Sequence, residues 1–240
     1  MSLNSPIELS RWMLFSLGVQ VSLYHSERVP KHGSLLVVSN HRSFLDAPLM
    51  MVAAGQPVHF ACHHYMGEVP VMRDVVKALG GFPLDRPGQR SRSFFKQSTA
   101  LLKDNRAVGI FPEGTDPMVQ LTSPQQVGEF QRGFAHLALR APIDKLSILP
   151  VAIASLEETQ GIPIPLQVLS WFDPSEPLFD QSGWHPAVLY RRVNLLVGQP
   201  IQITDEHRRH YQGKQAAALA AELTETCQAE VAGLLQQGCD

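Results

Sequence analysis

The 240-residue chain is 44% hydrophobic and 18% charged, a balance that supports a large core and excludes a disordered chain. Its net charge of −2 gives no global attraction to nucleic acid. Three widely spaced cysteines, Cys62, Cys227 and Cys239, argue against a disulfide framework and fit a reducing compartment.

The length suits one α/β domain (25–240) preceded by an N-terminal amphipathic helix (1–24). In that first segment Trp12, Phe15, Val19 and Leu23 recur at helical spacing, and Met13, Leu14 and Leu17 widen the apolar face. Two placements are open. The helix either packs on the domain or lies in a membrane interface, with Trp12 and Arg11 at headgroup depth. The segment lacks the basic start and small-residue cleavage site of a signal peptide. No apolar run reaches the roughly 18 residues of a spanning helix.

Apolar runs at 35–39, 57–61, 81–84, 107–111 and 147–153 read as strands, with helical patterns at 47–54, 70–79, 91–104 and 131–140. This alternation predicts a single-domain α/β fold, a mostly parallel sheet flanked by helices. A proline-rich stretch then carries Pro163, Pro165, Pro174, Pro177 and Pro186 around the apolar run 166–171. It reads as a surface excursion with one extra strand. Residues 193–197 return to the sheet, and 205–237 form a closing helix, with Gly213 as a point of interruption.

Two of the predicted strands lead into polar loops, the usual place for chemistry in α/β proteins. The first loop is Asn40-His41-Arg42-Ser43-Phe44-Leu45-Asp46, and the second is Phe111-Pro112-Glu113-Gly114-Thr115. On a regular helix five residues turn about 500°, which would place His41 and Asp46 on different faces. They meet only if His41 stays in the loop and a helix starts between them, with Ser43 or Asp46 as its cap and Pro48 in its first turn. Asp46 then accepts from His41 Nδ1–H and leaves Nε2 free to take a proton from a hydroxyl. An oriented imidazole base is worth roughly 10²–10⁴ in rate. The plain alternative is that Asp46 only caps the helix and His41 is a satisfied loop histidine.

Taken with two further blocks, these loops resemble the glycerolipid acyltransferase family that includes the 1-acylglycerol-3-phosphate acyltransferases. The further blocks are Gly80-Gly81-Phe82-Pro83-Leu84-Asp85-Arg86, and Phe130-Gln131-Arg132-Gly133-Phe134-Ala135 followed by Leu149-Pro150-Val151-Ala152-Ile153. The four blocks fall in the family's order, over residues 30–155. The resemblance implies a glycerol-3-phosphate acyltransferase-like α/β fold. It also implies transfer of a fatty acyl group from a coenzyme A or acyl carrier protein thioester to lysophosphatidate, giving phosphatidate. His41 would be the general base, Asp46 its orienting partner, and Arg86, Glu113, Gly114 and Thr115 substrate-binding residues. No cofactor beyond the thioester co-substrate is implied, and no covalent enzyme intermediate. The enzyme would sit peripherally at the inner, cytoplasmic face of a membrane.

One departure bears on the acceptor. Many family members carry an arginine after the Glu-Gly-Thr segment; here Asp116 stands there. Losing one hydrogen bond to a charged group costs about 1.5–3 kcal/mol. Three readings are open: Arg86 with Arg90, Arg92 or Arg132 carries the phosphate, the acceptor is another lysophospholipid or lipid alcohol or amine, or Asp116 points away. A non-catalytic lipid-binding protein of the same fold is the alternative from another class.

Three other signals are weaker. His59, Cys62, His63 and His64 suggest a metal, but in an extended strand His59 and His63 lie about 13 Å apart, so no metal site is expected. The basic run Arg86–Lys96 is by default a solvated helix start, with coenzyme A phosphates or an acidic carrier protein as alternatives. Asn40 and Ser43 are candidate hydrogen-bond donors near a reacting carbonyl.

Overall fold

A computed structural model of the chain describes residues 5–62, 70–85, 89–114, 122–161, 164–165, 184–185 and 187–239. The chain begins with helix α1 (Pro6–Ser16) and strand β1 (Gln20–Tyr24). It continues through β2 (Ser34–Ser39), α2 (Asp46–Ala54), β3 (Val58–Cys62), α3 (Pro70–Ala78) and β4 (Phe82–Pro83). Next come α4 (Arg90–Lys103), β5 (Ala107–Ile110), α5 (Gly133–Arg140) and the long β6 (Leu146–Gln160). The last part holds the short β7 (Ile164–Pro165) and β8 (Trp184–His185), then β9 (Val188–Val197), β10 (Ile201–Ile203), α6 (Asp205–His210) and α7 (Gly213–Cys239).

The main sheet runs β1-β9-β6-β2-β5-β3-β4, with β10 pairing beside β6. Five neighbours, β6, β2, β5, β3 and β4, are parallel. β9 and β10 run antiparallel to β6, and β1 lies parallel to β9. The α/β alternation read from the sequence is therefore the fold, a mostly parallel sheet flanked by helices. Strand residues alternate between two cores because successive side chains face opposite ways. Leu36, Val38, Ile148 and Ala152 join α5 and α7 on one side. Leu35, Val37, Leu149, Val151 and Ile153 join α1 and α2 on the other.

The expected helix over 1–24 is corrected to 6–16. Gly18, at φ 70°, turns the chain in the left-handed region that glycine enters freely. Residues 20–24 then pair in register with Arg192–Leu196 of β9. The helical spacing of Val19 and Leu23 was thus the tail of one pattern running into a strand. This ties the N-terminal segment into the sheet itself. At the other end the interruption at Gly213 is present, with φ 53° just where α7 begins. The apolar run 166–171 lies outside the described residues.

Strand order explains why two motifs far apart in sequence meet. β2 and β5 are adjacent and parallel, with Val38 opposite Ile110, so the loops leaving their C-terminal ends emerge side by side. On the other flank, Ser39 pairs with Val151. Asn40 then extends that ladder with its side chain: Nδ2 donates to the Ile153 carbonyl at 3.0 Å, and Ile153 N–H donates to Oδ1 at 2.9 Å. Asn40 is buried, so the carboxamide stands in for one more rung and delivers His41 at a fixed height. Replacing Asn40 by alanine leaves both Ile153 groups unpaired and should destabilise the protein by about 1–3 kcal/mol, read as a lowered urea midpoint with unchanged m-value.

Candidate active site

The loop leaving β2 keeps His41 outside the helix, and α2 starts at Asp46. Neither Ser43 nor Asp46 caps that helix; its N-cap is Leu45, without a side-chain cap bond. Instead the Asp46 carboxylate folds back over its own loop. Its Oδ2 accepts from His41 Nδ1 at 2.8 Å, Arg42 N–H at 2.6 Å and Ser43 N–H at 2.8 Å. Its Oδ1 accepts from the Tyr190 hydroxyl at 2.8 Å. Asp46 is fully buried, while the His41 side chain keeps about a quarter of its surface exposed. A buried carboxylate can only accept, so Nδ1 must carry the proton and Nε2 presents a lone pair.

Aromatic stacking fixes the plane of the imidazole. The Phe111 ring lies 4.2 Å away at 16°, and Phe60 stacks on Phe111 in turn, at 5.5 Å and 12°. Phe60 can lie there because residue 109 of neighbouring β5 has no side chain; a Cβ on Gly109 would collide with its ring. Beside His41 opens a cleft of about 280 Å³, lined by Ala61, Cys62, Leu84, Arg90, Phe94, Ile110, Phe111 and Gly114 among others. Its wall is mainly apolar, with a guanidinium at one side. Burial pushes the Cys62 thiol up to about 11, so it stays protonated and offers no nucleophile.

Glu113 was expected on the substrate, but the structure turns its carboxylate inward. Oε1 accepts from His41 N–H at 2.8 Å and Oε2 from Gly128 N–H at 2.9 Å. The residue is 3% exposed. It braces the backbone of the proposed base rather than facing the cleft. Gly114 does line the cleft, at φ 71°, in a turn closed by its N–H on the Phe111 carbonyl. A Cβ there would also displace the Gln131 amide, the movable end of a side chain, so it is the positive φ that calls for glycine. Arg86 and Thr115 lie outside the described residues, as do Asp116, His63 and His64. His59 is held by the Gly80 carbonyl at 2.8 Å from Nδ1. The Asn40 amide and Ser43 hydroxyl, considered for a reacting carbonyl, are committed to Ile153 and to the Val188 carbonyl.

The residues that sequence reasoning missed are Tyr190, on Asp46, and Phe111, read only as part of a motif. The signal for Tyr190 was present in the apolar spacing of 188, 190, 193, 195 and 197, whose parity breaks at Arg191-Arg192. Such a break marks a bulge, and a polar-tipped aromatic on the buried face needs a partner.

Burial raises the Glu113 carboxyl above its ordinary value of 4.5, although two backbone N–H bonds pull it down. A group raised on folding adds stability at pH below its unfolded value and loses that contribution as pH rises through the folded one. Glu113→Gln also turns an amide NH2 toward a backbone donor, so the variant should be less stable by about 1–3 kcal/mol. That deficit should narrow as pH rises from 4.5 upward, measured by denaturant titration at several pH values.

The acyltransferase family model matches residues 20–154, more than half of the chain. A 1-acyl-sn-glycerol-3-phosphate acyltransferase from Borreliella burgdorferi is 24% identical over 152 residues, covering 63% of this chain and 56% of that protein. A probable 1-acyl-sn-glycerol-3-phosphate acyltransferase from Mycoplasma pneumoniae is 29% identical over 144 residues, covering 57% and 52%. The chain thus spans about half the length of these curated relatives. The crystal structure of the 1-acyl-sn-glycerophosphate acyltransferase PlsC from Thermotoga maritima superposes with a TM-score of 0.63 at 19% identity, over 98% of this chain and 78% of that one. That likeness shows the fold. By the extent of the family match, this chain belongs to the acyltransferase family.

Proposed function

We propose that this protein is a 1-acylglycerol-3-phosphate acyltransferase, moving a fatty acyl group from a coenzyme A or carrier-protein thioester to lysophosphatidate. The observation that carries the reading is the His41–Asp46 pair at 2.8 Å. Its imidazole is oriented at Nδ1, stacked on Phe111 and open at the edge of an apolar cleft. The names of the relatives support the substrate.

In this mechanism the acceptor hydroxyl donates to His41 Nε2 and its oxygen attacks the thioester carbonyl carbon. His41 takes the proton as the new C–O bond forms, and Asp46 stabilises the resulting imidazolium. Collapse of the tetrahedral intermediate breaks the C–S bond, and the imidazolium returns the proton to the departing thiolate. The cleft walls Phe94, Ile110 and Leu84 take apolar acyl carbon, while Glu113 holds the His41 backbone still. By the family resemblance, Arg86 would bind the acceptor phosphate and Thr115 would add a hydroxyl contact to the substrate.

His41→Ala should lower acceptor-dependent thiol release from a long-chain acyl thioester by at least about 10²-fold. Arg86→Ala should raise the lysophosphatidate KM by about tenfold or more, the loss expected of one or two charge-assisted bonds, and leave the donor KM unchanged. Faster acylation of a neutral lipid alcohol than of lysophosphatidate, with Arg86→Ala silent, would instead favour the reading in which Asp116 excludes a phosphate.

An amphiphilic acceptor calls for a membrane surface, and we place the protein peripherally at the cytoplasmic face. Among the described residues no helix is long and apolar enough to cross a membrane. α1 presents Trp12 at 60% and Phe15 at 81% exposure, a pair suited to an interface. The double substitution Trp12→Ala/Phe15→Ala should reduce sedimentation with phospholipid vesicles several-fold while leaving the urea midpoint unchanged.

A further inference from the structure

The family match ends at residue 154, yet the bonds that hold the catalytic loop continue past it. Arg42 donates from Nη1 and Nη2 to the Glu158 carboxylate at 2.5 and 2.9 Å. Ser43 Oγ donates to the Val188 carbonyl at 2.7 Å, and Tyr190 Oη to Asp46 Oδ1 at 2.8 Å. All three anchors lie on the β6–β9 pair, where Glu158 and Tyr190 are opposite each other in the ladder.

A bulge aims Tyr190 at this place. The ladder slips between Ser155/Glu157 and Glu157/Glu158. A strict period of two would send Tyr190 to the face opposite Val193, Leu195 and Val197. The slip reverses parity, so Val188 and Tyr190 share one core with those three residues. Tyr190 is 2% exposed. Burial first, and then the Asp46 charge, push its phenol well above its ordinary value, so it remains a donor throughout the working pH range.

A filler of that core position needs no hydroxyl; phenylalanine has nearly the same volume. The hydroxyl has a distinct consequence. The other donors to Asp46, namely His41 Nδ1, Arg42 N–H and Ser43 N–H, all bond Oδ2. The carboxylate torsion of aspartate is soft. Without a bond to Oδ1, rotation trades Oδ2 away from His41 to satisfy the buried, unpaired oxygen. We propose that Tyr190 is a positioning residue for acyl transfer: its hydroxyl pins Asp46 Oδ1 while Glu158, opposite it, pins Arg42, so that the β6–β9 pair beyond the family-matched region completes the active site. This rests on the reading of His41 as the base.

The test uses the whole 240-residue chain and thiol release from oleoyl-coenzyme A with lysophosphatidate. The variants are Tyr190→Phe, Asp46→Ala, their combination, Glu158→Gln and His41→Ala. Tyr190→Phe should lower kcat by about 10–100-fold, the scale of a small misplacement of a catalytic group, with both KM values within about twofold. Added to Asp46→Ala it should change kcat less than about twofold, since its effect runs through that carboxylate. A packing role predicts the same loss in both backgrounds. Should Tyr190→Phe not fold, Glu158→Gln carries the test, with kcat lowered by about 3–10-fold at unchanged KM. Wild-type kcat in the folded Tyr190→Phe protein, or in Glu158→Gln where that protein does not fold, overturns the proposal, as does equal loss with and without Asp46. An active His41→Ala overturns the reading of the base and the proposal with it, whereas an inactive His41→Ala beside a normal Tyr190→Phe removes the proposal alone.

Discussion

The Asp46 carboxylate is buried at the start of α2 and accepts four hydrogen bonds, from His41 Nδ1, two loop amides and Tyr190. Burying a carboxylate without such partners costs several kcal/mol. The loop therefore has little freedom: any conformation that keeps Asp46 inside must bring Arg42 N–H, Ser43 N–H and His41 to it. The constraint that satisfies the carboxylate is the same one that fixes which imidazole nitrogen faces the cleft.

Around that anchor the structure repeats one device, backbone and side chains held by buried polar groups at the ends of parallel strands. Asn40 carries the β2–β6 ladder one rung further. Glu113 ties the end of β5 to the His41 amide and to Gly128. Arg42 reaches Glu158, whose ionisation is opposed by burial but favoured by the guanidinium's bond, the Ser155 hydroxyl and the guanidinium's charge together, leaving its carboxyl below the ordinary range. Each of these groups is fully or largely withdrawn from water, so each bond is worth more than it would be at the surface. The result is a preorganised base beside an apolar cleft, with Phe60 and Phe111 as a rigid backing.

Much of this was legible in the sequence because the parallel strands are short, β-branched and followed by polar loops. Spacing made the His41–Asp46 contact conditional on a helix starting beyond His41, and the structure meets that condition by starting α2 at Asp46. Glu113 was placed on the substrate by resemblance, and its own segment does not reveal the two backbone donors, His41 N–H and Gly128 N–H, that the fold brings to it from other loops. The segment 19–23 was read as helix because Val19 and Leu23 fit a period near four, while the strand partner that captures it, β9, lies some 170 residues away. The parity break at Arg191-Arg192 marks the bulge that turns Tyr190 inward, but its partner Asp46 lies 144 residues away, so the strand alone does not name what the hydroxyl bonds.

The central claim is that the His41 imidazole is held with its proton on Nδ1, leaving Nε2 as the base. Long-range ¹H–¹⁵N spectra of histidine-labelled protein report this directly, with the His41 signals assigned by their loss in His41→Gln. At about pH 8, where an ordinary imidazole is neutral, the account predicts the Nδ1–H tautomer for His41 and a change in its signals in Asp46→Ala. A His41 ring protonated on Nε2, with Nδ1 bare, would contradict it, because that nitrogen would then face the carboxylate without a proton and the base would have no free lone pair in the cleft.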